Sequence, residues 1–233
     1  MATFVLVPGA CHGGWWYEPL VLRLQAHGHA ASAVTLAGLG DDAGATHASI
    51  TLDSHVDEAT GAAVAAAAAA AAEREDGELV LVGHSYGGSV ITGVADRISD
   101  RVGALVYLDA FVPEDGDSCF AMTDDEQRRW YIEGSGRTGV AVDPLPFFDE
   151  RARPHPLALV QKSRLSGAWR AVAVKHYVAA TDWSGRSPFA PTTERVRADP
   201  GWTLHEWATR HNVMHDGPER VLELLLGLTA PQP

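Results

Sequence analysis

The chain has 233 residues, of which 46% are hydrophobic and 21% charged, proportions typical of a globular protein that buries one large core. Asp and Glu number 30 against 18 Lys and Arg, for a formal net charge of −12. This acidity argues against nucleic acid as a partner, because its recognition depends on basic residues that neutralise phosphates. Two cysteines, Cys11 and Cys119, are too few for a disulfide framework.

The start of the chain and its alanine-rich run bear on location. Thr3–Val7 leads directly into Pro8 and Gly9, which predicts a first strand and is too short for a signal peptide. The run Ala62–Ala72 is followed by Glu73, well short of the ~20 apolar residues that a membrane span needs. We therefore expect a cytoplasmic protein with no membrane association.

Strand and helix patterns alternate through the first half of the chain. The predicted strands are short apolar runs: Phe4–Val7, Ala31–Thr35, Leu79–Val82 and Ala104–Leu108. The predicted helices fill the intervals: Trp16–His27, Ser54–Glu75 (with Asp53 or Ser54 as its N-cap) and Val90–Ile98. This alternation indicates βαβ units, and so an α/β fold with a mostly parallel, doubly wound sheet.

The alternation stops after Asp109 and resumes much later. Residues from Pro113 to about Gly167 carry no strand signal and are rich in proline, glycine, charge and isolated aromatic residues. Strands at Val172–Val178 and Trp202–Trp207 and a helix at Pro218–Leu228 follow. The pattern predicts a single α/β domain over residues 1–233, with a core of 1–112 and 168–233. A helical lid of about 113–167 is inserted after the strand that ends at Asp109.

The sequence Gly-His-Ser-Tyr-Gly-Gly at Gly83–Gly88 lies between a predicted buried strand and a predicted helix. This context is typical of a nucleophile elbow, a sharp turn that projects the central serine at the edge of a sheet. The flanking glycines remove Cβ atoms that would clash in so tight a turn. The helix that follows directs backbone N–H groups at an oxyanion. The pattern predicts that Ser85 is a catalytic nucleophile.

A serine hydroxyl needs a neighbouring base, and 11 histidines are available. In enzymes with such an elbow the base comes last in chain order, after the final strand. Three histidines satisfy that order: His205 within the predicted strand, His211 on the loop after it, and His215 near the closing helix. A loop residue can reach over the elbow, whereas a residue inside a strand points at a face of the sheet. We therefore predict that His211 is the base, with His215 and then His205 as the alternatives.

Two aspartates qualify as the acid that orients the imidazole. Asp109 directly follows the apolar strand Ala104–Leu108, and Asp182 follows the strand that ends near Val178. Either could reach the same imidazole, because neighbouring parallel strands end about 5 Å apart. An aspartate at the tip of a fully apolar strand is hard to explain as a solvated surface residue. This favours Asp109 and leaves Asp182 as the alternative.

Four segments together resemble the α/β-hydrolase superfamily: Phe4–Trp15, Gly83–Gly88, Asp109–Gly116 and His211–Met214. Within it the chain is similar to the branch that holds plant methylesterases and hydroxynitrile lyases, and to bacterial relatives of that branch. The resemblance spans essentially the whole chain and implies an α/β-hydrolase fold. It also implies an oxyanion hole formed by the backbone N–H groups of Ala10 and Tyr86.

Departures from that branch bear on the reaction. The plant lyases carry threonine where this chain has Gly9 and lysine where it has Asn212, and both residues handle cyanohydrin and cyanide. A lyase activity is therefore not expected. The plant enzymes place their acid after the later strand, where Trp183 or Ser184 falls in this chain. Some haloalkane dehalogenases place it at a position similar to Asp109, which supports Asp109 without deciding the matter.

These observations predict a serine hydrolase that cleaves a small or medium carboxylic ester or lactone through an acyl-enzyme. We expect no cofactor and no metal, because neither cysteine has a second cysteine nearby and no HExxH motif joins His211 and His215. One alternative is a non-hydrolytic enzyme on the same fold, such as a cyclase, acyltransferase or C–C lyase. Another is a non-catalytic small-molecule receptor. A homodimer is left open.

Overall fold

Eight strands appear in the computed structural model of the chain, which describes residues 1–41, 47–73 and 77–229. They are β1 (Ala2–Val7), β2 (Ala30–Ala33), β3 (Glu78–His84), β4 (Val102–Leu108), β5 (Ala141–Val142), β6 (His155–Pro156), β7 (Val174–Ala180) and β8 (Thr203–Trp207). Six form a parallel sheet in the order β2-β1-β3-β4-β7-β8, and β5 pairs antiparallel with β6. The predicted parallel α/β sheet is confirmed.

Helices cover both faces of this sheet. The α-helices of the described residues are α1 (Glu18–Ala26), α2 (Leu52–Glu73), α3 (Tyr86–Arg97), α4 (Cys119–Met122), α5 (Asp125–Ser135), α6 (Ala190–Ala198), α7 (Val213–Asp216) and α8 (Pro218–Gly227), of which α4 and α5 belong to the insert between β4 and β7. Neighbouring strand residues point to opposite faces. Accordingly Val5 packs in the core that α2 and α3 cover, while Phe4 packs in the core that α1 and α8 cover. The sheet is therefore doubly wound.

The alanine-rich helix α2 packs closely against the hydrophobic core on one face of the sheet. Ala59 and Ala63 are buried to 1% and 0% exposure on the side that faces the core. Alanine is the strongest helix former and its short side chain permits a close approach. No helix within the described residues is long and apolar enough to span a membrane.

Several predicted boundaries were wrong, each for a local reason. Helix α2 begins at Leu52 because Thr51 caps it: the Ser54 N–H donates to Thr51 Oγ1 at 3.0 Å, and the Thr51 N–H donates to Ser54 Oγ at 2.9 Å. Neither Asp53 nor Ser54 is the N-cap. The predicted end of this helix at Glu75 lies outside the described residues.

Other differences lie later in the chain. Helix α3 begins at Tyr86, four residues before the predicted start, because the turn at Ser85 leads straight into it. Helix α6 follows β7 and had no predicted counterpart. The segment predicted to lack strands contains β5 and β6, whose two residues each are too short to produce an alternating pattern.

The insert between β4 and β7 is tied to the rest of the molecule at both ends. Asp96, on α3, accepts hydrogen bonds from the backbone N–H groups of Ser166, Gly167 and Trp169 at 2.6, 2.9 and 3.2 Å. At the other end, Tyr177 Oη donates to the carbonyl of Ala110 at 2.9 Å. The insert is thus anchored to the rest of the fold near both of its ends.

Candidate active site

The turn between β3 and α3 places Ser85 at the carboxyl edge of the sheet. Ser85 has φ 52° and ψ −118°, a left-handed conformation that costs a non-glycine residue about 1–3 kcal/mol. The turn is possible because two glycines follow it. A Cβ on Gly87 would lie 2.2 Å from the carbonyl oxygen of Val7, and one on Gly88 would lie 2.2 Å from that of Phe111. The chain therefore approaches both neighbouring segments too closely for any side chain there.

His211 lies on the loop after β8, as predicted, with its ring held on several sides. Phe189 stacks on it with centroids 5.2 Å apart and planes 16° apart, and Trp183 lies 5.1 Å away. His84, the residue before Ser85, lies 4.5 Å away and its Nε2–H donates to the backbone carbonyl of His211 at 3.0 Å. The imidazole is 30% exposed, so one edge remains open.

Asp109 contacts His211 directly. Its Oδ2 accepts from His211 Nδ1–H at 2.7 Å, and its Oδ1 accepts from the Ala180 N–H at 3.2 Å. Asp109 follows β4 and is 1% exposed, and its own N–H donates to the Val178 carbonyl at 2.7 Å. A buried carboxylate with two donors holds the imidazole with Nδ1 protonated, which leaves Nε2 free to accept a proton.

The other candidates for the acid and the base have different hydrogen-bond partners. Asp182 is exposed and its N–H donates to Thr209. His205 Nε2 is 2.9 Å from His176 Nδ1, within the sheet. His215 is 72% exposed and pairs with Asp216. None of these side chains shares a hydrogen bond with Ser85, His211 or Asp109 among the described residues.

Ser85 Oγ and His211 Nε2 are not hydrogen-bonded to each other within the described part of the chain. The residue before Ser85 nevertheless packs against the His211 ring. Catalytic hydrogen bonds of this kind are often long without substrate and shorten when it binds. The structure thus brings Ser85, His211 and Asp109 to one edge of the sheet.

The two predicted oxyanion donors belong to segments next to Ser85. Tyr86 is the first residue of α3, so its N–H has no acceptor within the helix. Ala10 lies on the loop after β1, which approaches the elbow so closely that a Cβ on Gly9 would lie 3.1 Å from Ser85 Cβ. The Ala10 carbonyl accepts from His12 Nδ1 at 2.7 Å.

Buried histidines surround the site and stay uncharged. Burial lowers the pKa of His84 and of His155 well below 6.5, and lowers the pKa of His55 to about 4. Burial also lowers the pKa of His12. His155 and His55 had no predicted role, because a histidine in an insert or a helix carries no motif.

Metal-ligating side chains do not cluster among the described residues. No group of three or more His, Cys, Asp or Glu side chains there is arranged to hold a metal ion. Cys11 and Cys119 are buried free thiols, and burial raises the pKa of each to about 12. Neither thiol is therefore a ready thiolate nucleophile or ligand.

A fold with a strained serine elbow and a histidine–aspartate pair at its carboxyl edge defines the α/β-hydrolase class. Residues 4–224 match the model of the alpha/beta hydrolase family. The chain belongs to this family.

Relatives within the family include esterases. The chain is 35% identical over 250 residues to the carbendazim hydrolyzing esterase of Nocardioides sp. (strain SG-4G), a match that covers 98% of this chain and all of that one. It is 37% identical over 160 residues to Esterase PIR7B of Oryza sativa subsp. japonica, covering 62% of this chain and 56% of that one. The predicted resemblance to the plant esterase branch is confirmed.

Solved structures share the fold. An extracellular alpha/beta-hydrolase from a Paenibacillus species aligns with a TM-score of 0.77 at 22% identity, over 98% of this chain and 99% of that one. A pyrethroid hydrolase from Sphingobium faniae JZ-2 aligns with a TM-score of 0.71 at 18% identity, over 99% and 98%. The fold is therefore that of the α/β-hydrolases along the whole chain.

Proposed function

We propose that this protein is a serine esterase that hydrolyses a small or medium carboxylic ester or lactone through an acyl-enzyme. The observation that carries the proposal is the 2.7 Å hydrogen bond between His211 Nδ1 and Asp109 Oδ2, next to the Ser85 elbow. Such a pair activates a serine hydroxyl without a cofactor. The full-length relation to an esterase supports the same reaction.

In the first half of the reaction, Ser85 Oγ attacks the carbonyl carbon while its proton moves to His211 Nε2. Asp109 stabilises the imidazolium that forms, and the N–H groups of Ala10 and Tyr86 bind the oxyanion. When the carbon–oxygen bond to the leaving alcohol breaks, His211 returns the proton to that oxygen. Ser85 then carries the acyl group.

In the second half, water takes the place of the alcohol. His211 Nε2 removes a proton from the water as its oxygen attacks the acyl carbonyl. The same N–H groups hold the second oxyanion. As the bond to Ser85 Oγ breaks, the proton passes from His211 to that oxygen, and the carboxylic acid leaves. The enzyme regains its starting protonation.

We further propose that residues 113–167 act as a lid over this site and that the protein works in the cytoplasm. The lid role is supported by the contacts of residues 153 and 155 with the Ala10 loop, at 2.9 and 3.1 Å from Cys11 atoms. The cytoplasmic location is supported by two cysteines that are both free.

The test compares the unmodified protein with Ser85→Ala on short-chain nitrophenyl esters, a lactone panel and carbendazim. We expect release of nitrophenol by the unmodified protein and a loss of about 10⁶-fold in kcat for Ser85→Ala. A fluorophosphonate should label the unmodified protein at Ser85 only. Equal turnover by both proteins would refute the role of Ser85.

The same experiment separates the alternative functions. Labelling of Ser85 without cleavage of any ester or lactone would point to an acyltransferase, cyclase or lyase. Absence of both labelling and cleavage would point to a receptor. Either result would replace the proposed hydrolysis.

A further inference from the structure

A buried histidine of the insert contacts the loop that carries one oxyanion donor. His155, on β6, is 0% exposed. Its Nδ1 accepts a hydrogen bond from the backbone N–H of Cys11 at 3.1 Å. The two residues are 144 positions apart in the chain. The next residue toward the N-terminus is Ala10, whose N–H is one of the two proposed oxyanion donors.

The peptide between Ala10 and Cys11 is held at both of its polar atoms. Its N–H donates to His155 Nδ1 at 3.1 Å, and its carbonyl oxygen accepts from His12 Nδ1 at 2.7 Å. The carbonyl of Cys11 accepts from the Arg153 N–H at 2.9 Å, so a second residue of the insert hydrogen-bonds this loop. Rotation of this peptide would break at least two of these bonds.

The loop needs such restraint because its backbone is strained. Cys11 has φ 68°, a conformation that costs a non-glycine residue about 1–3 kcal/mol and persists only where the surroundings impose it. Without an acceptor on His155, the Cys11 N–H would be buried and unpaired, at a further cost. The acceptor therefore selects the observed conformation over relaxed ones.

His155 also contacts the second donor residue. Its ring lies 4.5 Å from the ring of Tyr86 in an edge-to-face arrangement. Tyr86 Oη in turn donates to His55 Nδ1 at 2.8 Å, and His55 Nε2–H donates to the Ala37 carbonyl at 3.0 Å. One side chain thus lies against both residues whose N–H groups form the proposed oxyanion hole.

The hydrogen bond also defines the state of the ring. An imidazole that accepts at Nδ1 must be neutral and carry its proton on Nε2. Burial lowers the pKa of His155 well below 6.5, and His55, His12 and His47 nearby lower it further. The acceptor is therefore available across the pH range in which a serine esterase works.

We propose that His155 is a positioning residue that aligns the oxyanion hole through Cys11, so that the insert completes the catalytic site. The proposal rests on the proposed esterase function. A positioning role for His155 differs from a purely structural role in one measurable respect. Loss of the acceptor should weaken binding of the transition state more than binding of the substrate.

Two variants separate the acceptor from the ring. His155→Phe keeps a ring against Tyr86 but has no acceptor, while His155→Asn has an acceptor oxygen bonded to Cγ, as Nδ1 is, but no ring. Removal of a direct oxyanion donor costs ~10²–10³-fold in kcat. For misalignment of one donor, we expect a fall of about 10–100-fold for His155→Phe with KM nearly unchanged, and near-normal kcat for His155→Asn.

Each rate is normalised to sites titrated with a fluorophosphonate, so that misfolded protein does not count; if His155→Phe is insoluble, His155→Leu replaces it. A trifluoromethyl ketone analogue of the ester, which forms an oxyanion on Ser85, should bind about 10–100-fold more weakly to the Phe variant. Binding of the product acid should change less than threefold.

The control is His29→Leu. His29 Nδ1 accepts from the Ala2 N–H at 3.2 Å, the same kind of bond at the opposite end of β1. Its kcat should equal that of the unmodified protein. Normal kcat in His155→Phe, or equal losses in His155→Phe and His155→Asn, would overturn the positioning role. An unmodified protein that cleaves no ester would overturn the proposed function instead.

Discussion

The carboxyl edge of the sheet and the insert between β4 and β7 contribute to the site in different ways. At the edge, Ser85 and Asp109 directly follow strands, both with positive φ, so local backbone geometry places them. The insert contains the long-range contact of His155 with Cys11 and no residue of the Ser85, His211 and Asp109 group. We propose that the edge holds the reacting groups, whereas the insert aligns one of the oxyanion donors.

The largest expected effect tests which strand end holds the acid. Asp109→Asn should lower kcat about 10⁴-fold, because an amide no longer holds the productive tautomer or stabilises the imidazolium. Asp182→Asn is the matched control and should stay within about threefold, because Asp182 is exposed and does not contact His211. Steady-state kinetics on a nitrophenyl ester measure both. Similar losses of kcat in the two variants would show that Asp109 is not the residue that orients His211.

The second prediction tests the close approach of Gly87 to the carbonyl oxygen of Val7 at the carboxyl edge of the sheet. Gly87→Ala should lower the free energy of unfolding by ~2 kcal/mol or more, because its Cβ would lie 2.2 Å from a carbonyl oxygen. Gly61→Ala serves as the control: it lies inside α2 with nothing within 4 Å of an added Cβ, and should stabilise by about 1 kcal/mol. Urea unfolding followed by circular dichroism measures both. A Gly87→Ala variant of normal stability would contradict the packing argument.

A smaller effect concerns pH and the buried histidines. The folded protein keeps His55 neutral down to a pKa of about 4, while the unfolded chain binds a proton near pH 6.5. The unfolded state therefore binds more protons below pH 6.5, so stability falls as pH drops from 6.5 toward 4. At about pH 5 the loss from His55 alone is ~2 kcal/mol relative to neutral pH. Urea unfolding at both pH values measures it.

His55→Gln provides the comparison for this prediction. Glutamine keeps a donor and an acceptor but does not titrate, so its stability should depend less steeply on pH over the same window. An identical slope in both proteins would mean that His55 does not contribute.

The smallest effect tests the anchor of the insert. Asp96 accepts three backbone N–H bonds from residues 166–169, and the hydrogen bonds to Ser166 and Trp169 lower its pKa although partial burial opposes them. Asp96→Asn should weaken these bonds and raise amide hydrogen exchange in that segment, with kcat within about threefold. Asp100→Asn, on the turn after α3, is the control. Unchanged exchange at residues 166–169 would show that the anchor is not needed.

Much of the fold could be predicted because periodicity and glycine placement are local signals. The buried runs at Leu79–Val82 and Ala104–Leu108 lie within β3 and β4. Helix α6 could not be predicted, because its sequence lacks a clear apolar stripe: Thr192 and Val196 are its buried residues. Strands β5 and β6 are held by tertiary contacts and have no pattern of their own.

The sequence by itself determined the family and predicted the nucleophile and the region of the base, because the elbow and its strand–turn–helix context depend only on neighbouring residues. Only the tertiary structure showed that His211 is hydrogen-bonded to Asp109 and not to Asp182, since that contact joins residues 102 positions apart. It also revealed His155, whose partner lies 144 positions away. Contacts of this range depend on how the elements pack, and no local pattern encodes them.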